Sequence, residues 1–219
     1  MVVEVLLAVA AGMVMEVVYT FIEELWGARS EPKEIPLALQ SEMSTYDEKM
    51  IGETQRLVES VFCQEGKSVV ESVKEMSNLE RIKKAEEFAK ELAKLYGLDI
   101  EIDVTVAPPE MCGGYYWNKK KACFNLVELM MDANAPNFDK HIANFIDTVI
   151  HEERHAVQHQ SILENGFWEI DEAHSRAWAG NMQEGNYIRP EVDVRGYRLQ
   201  PIENDAFTFA NLVMEGVTI

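Results

Sequence analysis

Residues 99–106, DIEIDVTV, alternate Ile100, Ile102, Val104 and Val106 with acids and threonine. A period of two marks a strand with one buried face, and it stands in a chain whose other apolar residues recur at helical spacing. Upstream, residues 46–75 have a helical pattern with a break near Gly66. Ser77-Asn78-Leu79-Glu80 fits a capping box, in which the Ser77 hydroxyl accepts from the Glu80 backbone and the Glu80 carboxylate reaches back. The helix it opens carries Ile82, Ala85, Phe88, Ala89, Leu92 and Leu95 at helical spacing and stops at Gly97, which suits a left-handed C-terminal position. Beyond the strand, Pro108-Pro109 ends the extended run, and GGYYWNKKKACFNL forms a hairpin pattern turning around Asn118 to Lys121. Residues 139–163 return to helix with Ile142, Phe145, Ile146, Val149 and Ile150 inward. A further helix is expected near 167–183, then an irregular stretch around Pro190, then a last helix from Pro201, a favoured first helical residue. Helices, a small antiparallel or mixed sheet, and more helices make an α+β fold.

The chain has 219 residues, 47% hydrophobic and 26% charged, enough for one good-sized core. Its formal net charge of -18 argues against a nucleic-acid partner, which needs a basic face, and against docking on an anionic membrane. Cys63, Cys112 and Cys123 are too few, and odd in number, for a disulfide framework; reduced thiols in a cytoplasmic protein are expected, although Cys112 and Cys123 flank the hairpin.

The first 26 residues are strongly apolar. No lysine or arginine precedes Arg29, so the basic start of a signal peptide is missing, and Glu4 and Glu16 interrupt any membrane span. They fit a helix packed on the body or on a second subunit. Residues 27–45, with two prolines, have the composition of a linker. This suggests a helical extension over 1–76 and a main domain over 77–219.

The 139–163 helix carries HEERHAVQHQ, in which His151, His155 and His159 follow one another at intervals of four. His151-Glu152-Glu153-Arg154-His155 is HExxH. Residues four apart lie one above the other on a helix, so two imidazoles can hold one Zn²⁺. Glu152 is turned about 100° around the axis and falls beside the metal, where it can take a proton from zinc-bound water and deliver it to a leaving amine. At this composition a chance HExxH has odds on the order of 1%.

A hydrolytic zinc site takes three protein ligands and leaves a position open. The metzincin position six residues past His155 is Ser161, which excludes that class. His159 lies a further turn along and would have to converge from about 12 Å of helix, so it is expected beside the ligand set rather than in it. Acids downstream are the better source. Glu203 precedes Ala206 and Ala210 on one side of the last helix, and small residues there allow close approach to the metal helix; Glu172 and His174 remain alternatives.

HEERHAVQ followed by QPIENDAFTFA resembles the gluzincin-type zinc metallopeptidases. It is particularly similar to small bacterial proteins of the ImmA/IrrE type, whose second motif is matched by Glu203, Ala206, Phe209 and Ala210. Trp178, Asn181, Asn186-Tyr187-Ile188 and Tyr197 also look like bacterial members with HExRHxxQ at the site. The resemblance spans roughly 98–213. It implies a zincin-like fold, a peptide or protein substrate, Zn²⁺ on His151, His155 and Glu203, and Glu152 as general base. By the same analogy the hairpin supplies an edge strand for substrate, with Tyr115, Tyr116 or Trp117 along the cleft. Tyr187, Tyr197 and His174 are the candidates to steady an oxyanion. Arg154 and Gln158 are expected to point away from the ligands, and Asp205 to orient a ligand histidine or to act as a cap or surface ion pair. The departure is the spacing of 48 positions from His155 to Glu203, longer than in thermolysin-like enzymes.

Overall fold

A computed structural model describes residues 44–105, 113–183 and 185–219. The expected helix over 1–26, all but the last two residues of the 27–45 linker, Pro108-Pro109 and Cys112 lie outside the described residues. Ser44 opens the described chain as a cap. Its hydroxyl accepts from the Asp47 backbone and the Asp47 carboxylate accepts from the Ser44 backbone, starting α1 (Thr45–Phe62). Gly66 (φ 77°) supplies the expected break, and Ser68 and Glu71 repeat the box to start α2 (Val69–Glu75). The Ser77–Glu80 box is formed as expected at the head of α3 (Asn78–Leu95), and Gly97 takes the left-handed conformation at φ 71°.

Three short strands follow: β1 (Glu101–Thr105), β2 (Gly113–Tyr116) and β3 (Lys121–Asn125). β2 and β3 form the expected antiparallel hairpin, with Tyr115 opposite Ala122, joined by a 3-10 turn at Trp117–Lys119 and a left-handed Lys120. β1 runs parallel to β3, so the sheet is mixed with order β1-β3-β2 and β2 at an edge.

Then comes α4 (Phe138–Leu163), 26 residues and about 39 Å long, whose Phe138, Ile142, Phe145, Ile146, Val149 and Ile150 are all buried. The next expected helix begins late. Trp168 and Glu169 have positive φ and close a 3-10 turn, and only at Asp171, whose carboxylate accepts from the Ala173 and His174 backbone, does α5 (Glu172–Asn181) start. Packing decides this: the Trp168 indole is buried and donates to the Tyr96 carbonyl, 3.0 Å away. The stretch after Pro190 contains a short helix absent from the sequence reading, α6 (Val194–Leu199), capped by Asp193. α7 (Pro201–Glu215) begins at the expected proline.

α4 is the central element. It packs along α7, against β2 and β3, and against α5. The first two helices belong to the same core: Phe62 meets Phe88 of α3 at 5.4 Å between ring centres, and Val58, Val69 and Val73 are fully buried with Ile146 and Phe209. The expected line at 76/77 therefore falls between two helices of one packed unit. Buried cations tie its parts: Arg81 of α3 donates to the Val73, Leu129 and Met131 carbonyls. Arg154 of α4 forks onto Asp205 of α7 (2.8 and 3.0 Å) and reaches Asp47 of α1 (2.7 Å). Burial works against its charge, but the two carboxylates outweigh that and hold it protonated. No helix among the described residues is long and apolar enough to cross a membrane.

Candidate metal centre

α4 and α7 cross so that His151 and His155, one helical turn apart, face Glu203 in the first turn of α7. Ala206 and Ala210 are fully buried on α7, as close helix approach requires. The three side chains converge on one point. His151 Nε2 and His155 Nε2 are 3.1 Å apart, and each lies 3.3 Å from a different Glu203 oxygen. Tetrahedral zinc with ligands at 2.0–2.1 Å has edges of about 3.3–3.4 Å, so the spacing fits the ion. All three residues are buried, at 4%, 6% and 2% exposure. Two imidazole nitrogens aimed at each other can share only one proton, and Glu203 Oε2 has no hydrogen-bond partner. A cation between them would satisfy every one of these atoms.

The electrostatics match. Burial pushes the Glu203 carboxyl up, but His155 and His151 outweigh it and hold it well below the usual carboxylate range. Burial pushes His155 down, but Glu203 carries it up to about 9. Without metal the site is thus an ion pair carrying a proton that a metal would have to displace.

Two tyrosines expected near the reaction reach the site through Glu203. The Tyr187 hydroxyl donates to Glu203 Oε1 at 2.7 Å, and the Tyr197 ring packs 6.3 Å from that of Tyr187, where the Glu203 charge acts on its phenol. Burial, then the Glu203 charge, pushes both phenols well above their ordinary range, so both stay protonated donors. Tyr187 lies on an irregular segment, held because buried Gln200 accepts from the Ile188 N–H and donates to the Ile188 carbonyl. Asn181 adds a bond to Gln200 at 2.9 Å.

Glu152 lies beside the ligand pair, and its charge acts on His155, Tyr187 and Tyr197. Its Oε2 accepts from the Tyr115 backbone N–H of edge strand β2 at 2.9 Å. This contact depends on Gly113: a Cβ there would stand 2.7 Å from Thr148 Cγ2 and 3.4 Å from Glu152 Cγ. Tyr115 is buried, and its hydroxyl meets His159 Nδ1 at 3.0 Å. The Trp117 ring lies 6.2 Å from that of His155 and 5.3 Å from that of His159, whereas Tyr116 is exposed.

The rival ligands are placed elsewhere. His159 is engaged by Tyr115, His174 by Asp171 at 2.6 Å near the start of α5, and Glu172 by Arg176 at 2.9 Å. Among the described residues, His151, His155 and Glu203 are the one group able to hold a metal, and no fourth protein ligand joins them. His174 also makes no contact with Glu203 like that of Tyr187.

Two expectations about neighbours need correction. Gln158 does not point away from the ligands: its Oε1 lies 2.7 Å from His155 Nδ1, as its position three residues on allows. Asp205 is buried and serves His155 only through Gln158, which donates to it at 2.7 Å. Phe207, four residues past Glu203, packs on His151 with ring centres 4.4 Å apart, a contact that spacing within the helix could have suggested.

No protein-family model, curated protein or solved structure matches the chain.

Proposed function

We propose that the chain is a zinc-dependent peptidase with a zincin-like arrangement, in which His151, His155 and Glu203 hold the metal and Glu152 is the general base. The observation that carries this reading is the triangle of ligand atoms 3.1–3.3 Å apart, with a carboxylate one residue along the same helix. Zinc there supplies Lewis acidity toward water and a carbonyl oxygen. Glu152 takes the proton of the attacking water and passes it to the leaving amine. The Tyr115 N–H fixes one oxygen of that carboxylate. Tyr187 anchors Glu203, and the protonated hydroxyls of Tyr187 and its neighbour Tyr197 could steady charge developing beside it. Edge strand β2 lies against the metal helix, with its Tyr115 N–H taken by Glu152, and an extended peptide would pair with the main-chain groups of that edge left over.

The test is hydrolysis of a mixed peptide library by zinc-loaded protein, with Glu152→Gln alongside. Cleavage that falls at least about 100-fold in Glu152→Gln, with zinc content unchanged, supports the reading. Zinc retention with no cleavage by either protein would instead favour a silent metal-binding relative of such enzymes.

A further inference from the structure

We infer that Gln158 is a positioning residue for the metal centre: it fixes the His155 ring so that Nε2 faces the metal with a lone pair. The inference rests on the metal-site reading above, but its evidence is a separate set of contacts. Gln158 Nε2 lies 2.8 Å from the Ile202 carbonyl and 2.7 Å from Asp205 Oδ2. Both are acceptors, so that atom must be the amide nitrogen. The other amide atom, 2.7 Å from His155 Nδ1, is then the oxygen, and His155 Nδ1 must carry a proton to donate to it. With Nδ1 protonated, the ring meets a metal through Nε2, the atom that points at His151 and Glu203.

The amide is itself held. Asp205 is gripped by Arg154, and Arg154 by Asp47 of α1, so a buried chain of five side chains runs from the head of α1 to the ligand. Gln158 is fully buried and has no freedom to flip without stranding two donors and an acceptor. His151 lacks this support, since its Nδ1 has no hydrogen-bond partner. The two histidine ligands are therefore held differently: the His155 ring by the Gln158 hydrogen bond, the His151 ring by packing on Phe207.

Two readouts on the full chain test this. The first is zinc affinity by chelator competition for wild type, Gln158→Met and Ser161→Ala. Gln158→Met should weaken zinc by about 10–100-fold. Ser161→Ala removes a buried hydroxyl that bonds the Gln158 carbonyl without touching the ring, and it should bind as wild type does. The second is ¹⁵N-histidine NMR of the zinc-free protein above about pH 9, where the His155 ring is neutral: its one proton should sit on Nδ1 in wild type and be shared between Nδ1 and Nε2 in Gln158→Met. Wild-type zinc affinity in Gln158→Met, or an unprotonated His155 Nδ1 in wild type, would overturn the inference. Failure of wild type itself to bind zinc would sink the metal reading instead, and the NMR comparison would still decide whether Gln158 sets the ring.

Discussion

Arg154→Met should be the most damaging single change that leaves the metal ligands intact. The guanidinium is 1% exposed and bonds Asp205 twice and Asp47 once. Its carbon lies 4.7 Å from the ring centre of Phe209 and 5.4 Å from that of Trp168. Methionine keeps much of the packing and removes the charge. Asp47 and Asp205, at 5% and 7% exposure, then keep only neutral donors: the Ser44 N–H and hydroxyl for one, the Gln158 amide for the other. Breaking a buried pair from one side costs about 3–5 kcal/mol, a large part of the roughly 5–15 kcal/mol that holds a domain folded. For a chain of this size that lowers Tm by about 6–20 °C. Most of the cost comes from the stranded charges rather than from lost attraction. Neutralising both acids in the same background (Arg154→Met with Asp47→Asn and Asp205→Asn) should therefore recover at least about half of it. Urea unfolding and thermal melts followed by circular dichroism measure both effects. A loss under about 1 kcal/mol in Arg154→Met, or a triple variant no more stable than the single one, would refute the reasoning.

Three further outcomes follow from the same contacts. Glu153 is fully buried with neither carboxyl oxygen hydrogen-bonded, so Glu153→Met should stabilise the fold by about 1–3 kcal/mol in urea unfolding; destabilisation would show that the carboxyl has a partner. Gly113→Ala should force β2 off α4 and cost about 1–3 kcal/mol, and adding Thr148→Ser, which deletes the clashing methyl, should recover most of it. Burial pushes His141 down from 6.5 to about 4. The unfolded chain then takes up a proton that the folded chain refuses, so stability present above pH 6.5 is lost as pH falls toward 4. That loss is at most about 3 kcal/mol, and His141→Gln should flatten it in melts across that window.

What was legible in the sequence was local. Capping boxes, Gly97, Pro201 and the alternation through Ile102 and Val104 act within a few residues, and the expected elements formed there. His151, His155 and Glu152 were legible for the same reason, since one helix sets their relative positions. The small residues after Glu203 gave a preference for it over Glu172 and His174 and the motif resemblance strengthened it, because nothing in spacing alone brings residue 203 to residue 155. The misses were tertiary. The late start of α5 follows from Trp168 seeking a buried place beneath Arg154 and donating to Tyr96, which overrides the helical pattern around it. The parallel pairing of β1 with β3 depends on a crossover that the strand pattern does not encode. Gln158 was misjudged because helix-face geometry gives a direction for its Cβ, whereas its long side chain turns back to the His155 ring.

The measurement that bears most directly on the central claim is metal content by mass spectrometry of purified wild-type protein and Glu203→Ala after zinc reconstitution and dialysis. The account predicts one zinc per wild-type chain and loss of zinc in Glu203→Ala. Wild-type protein without zinc, or Glu203→Ala that retains a full equivalent, would contradict it.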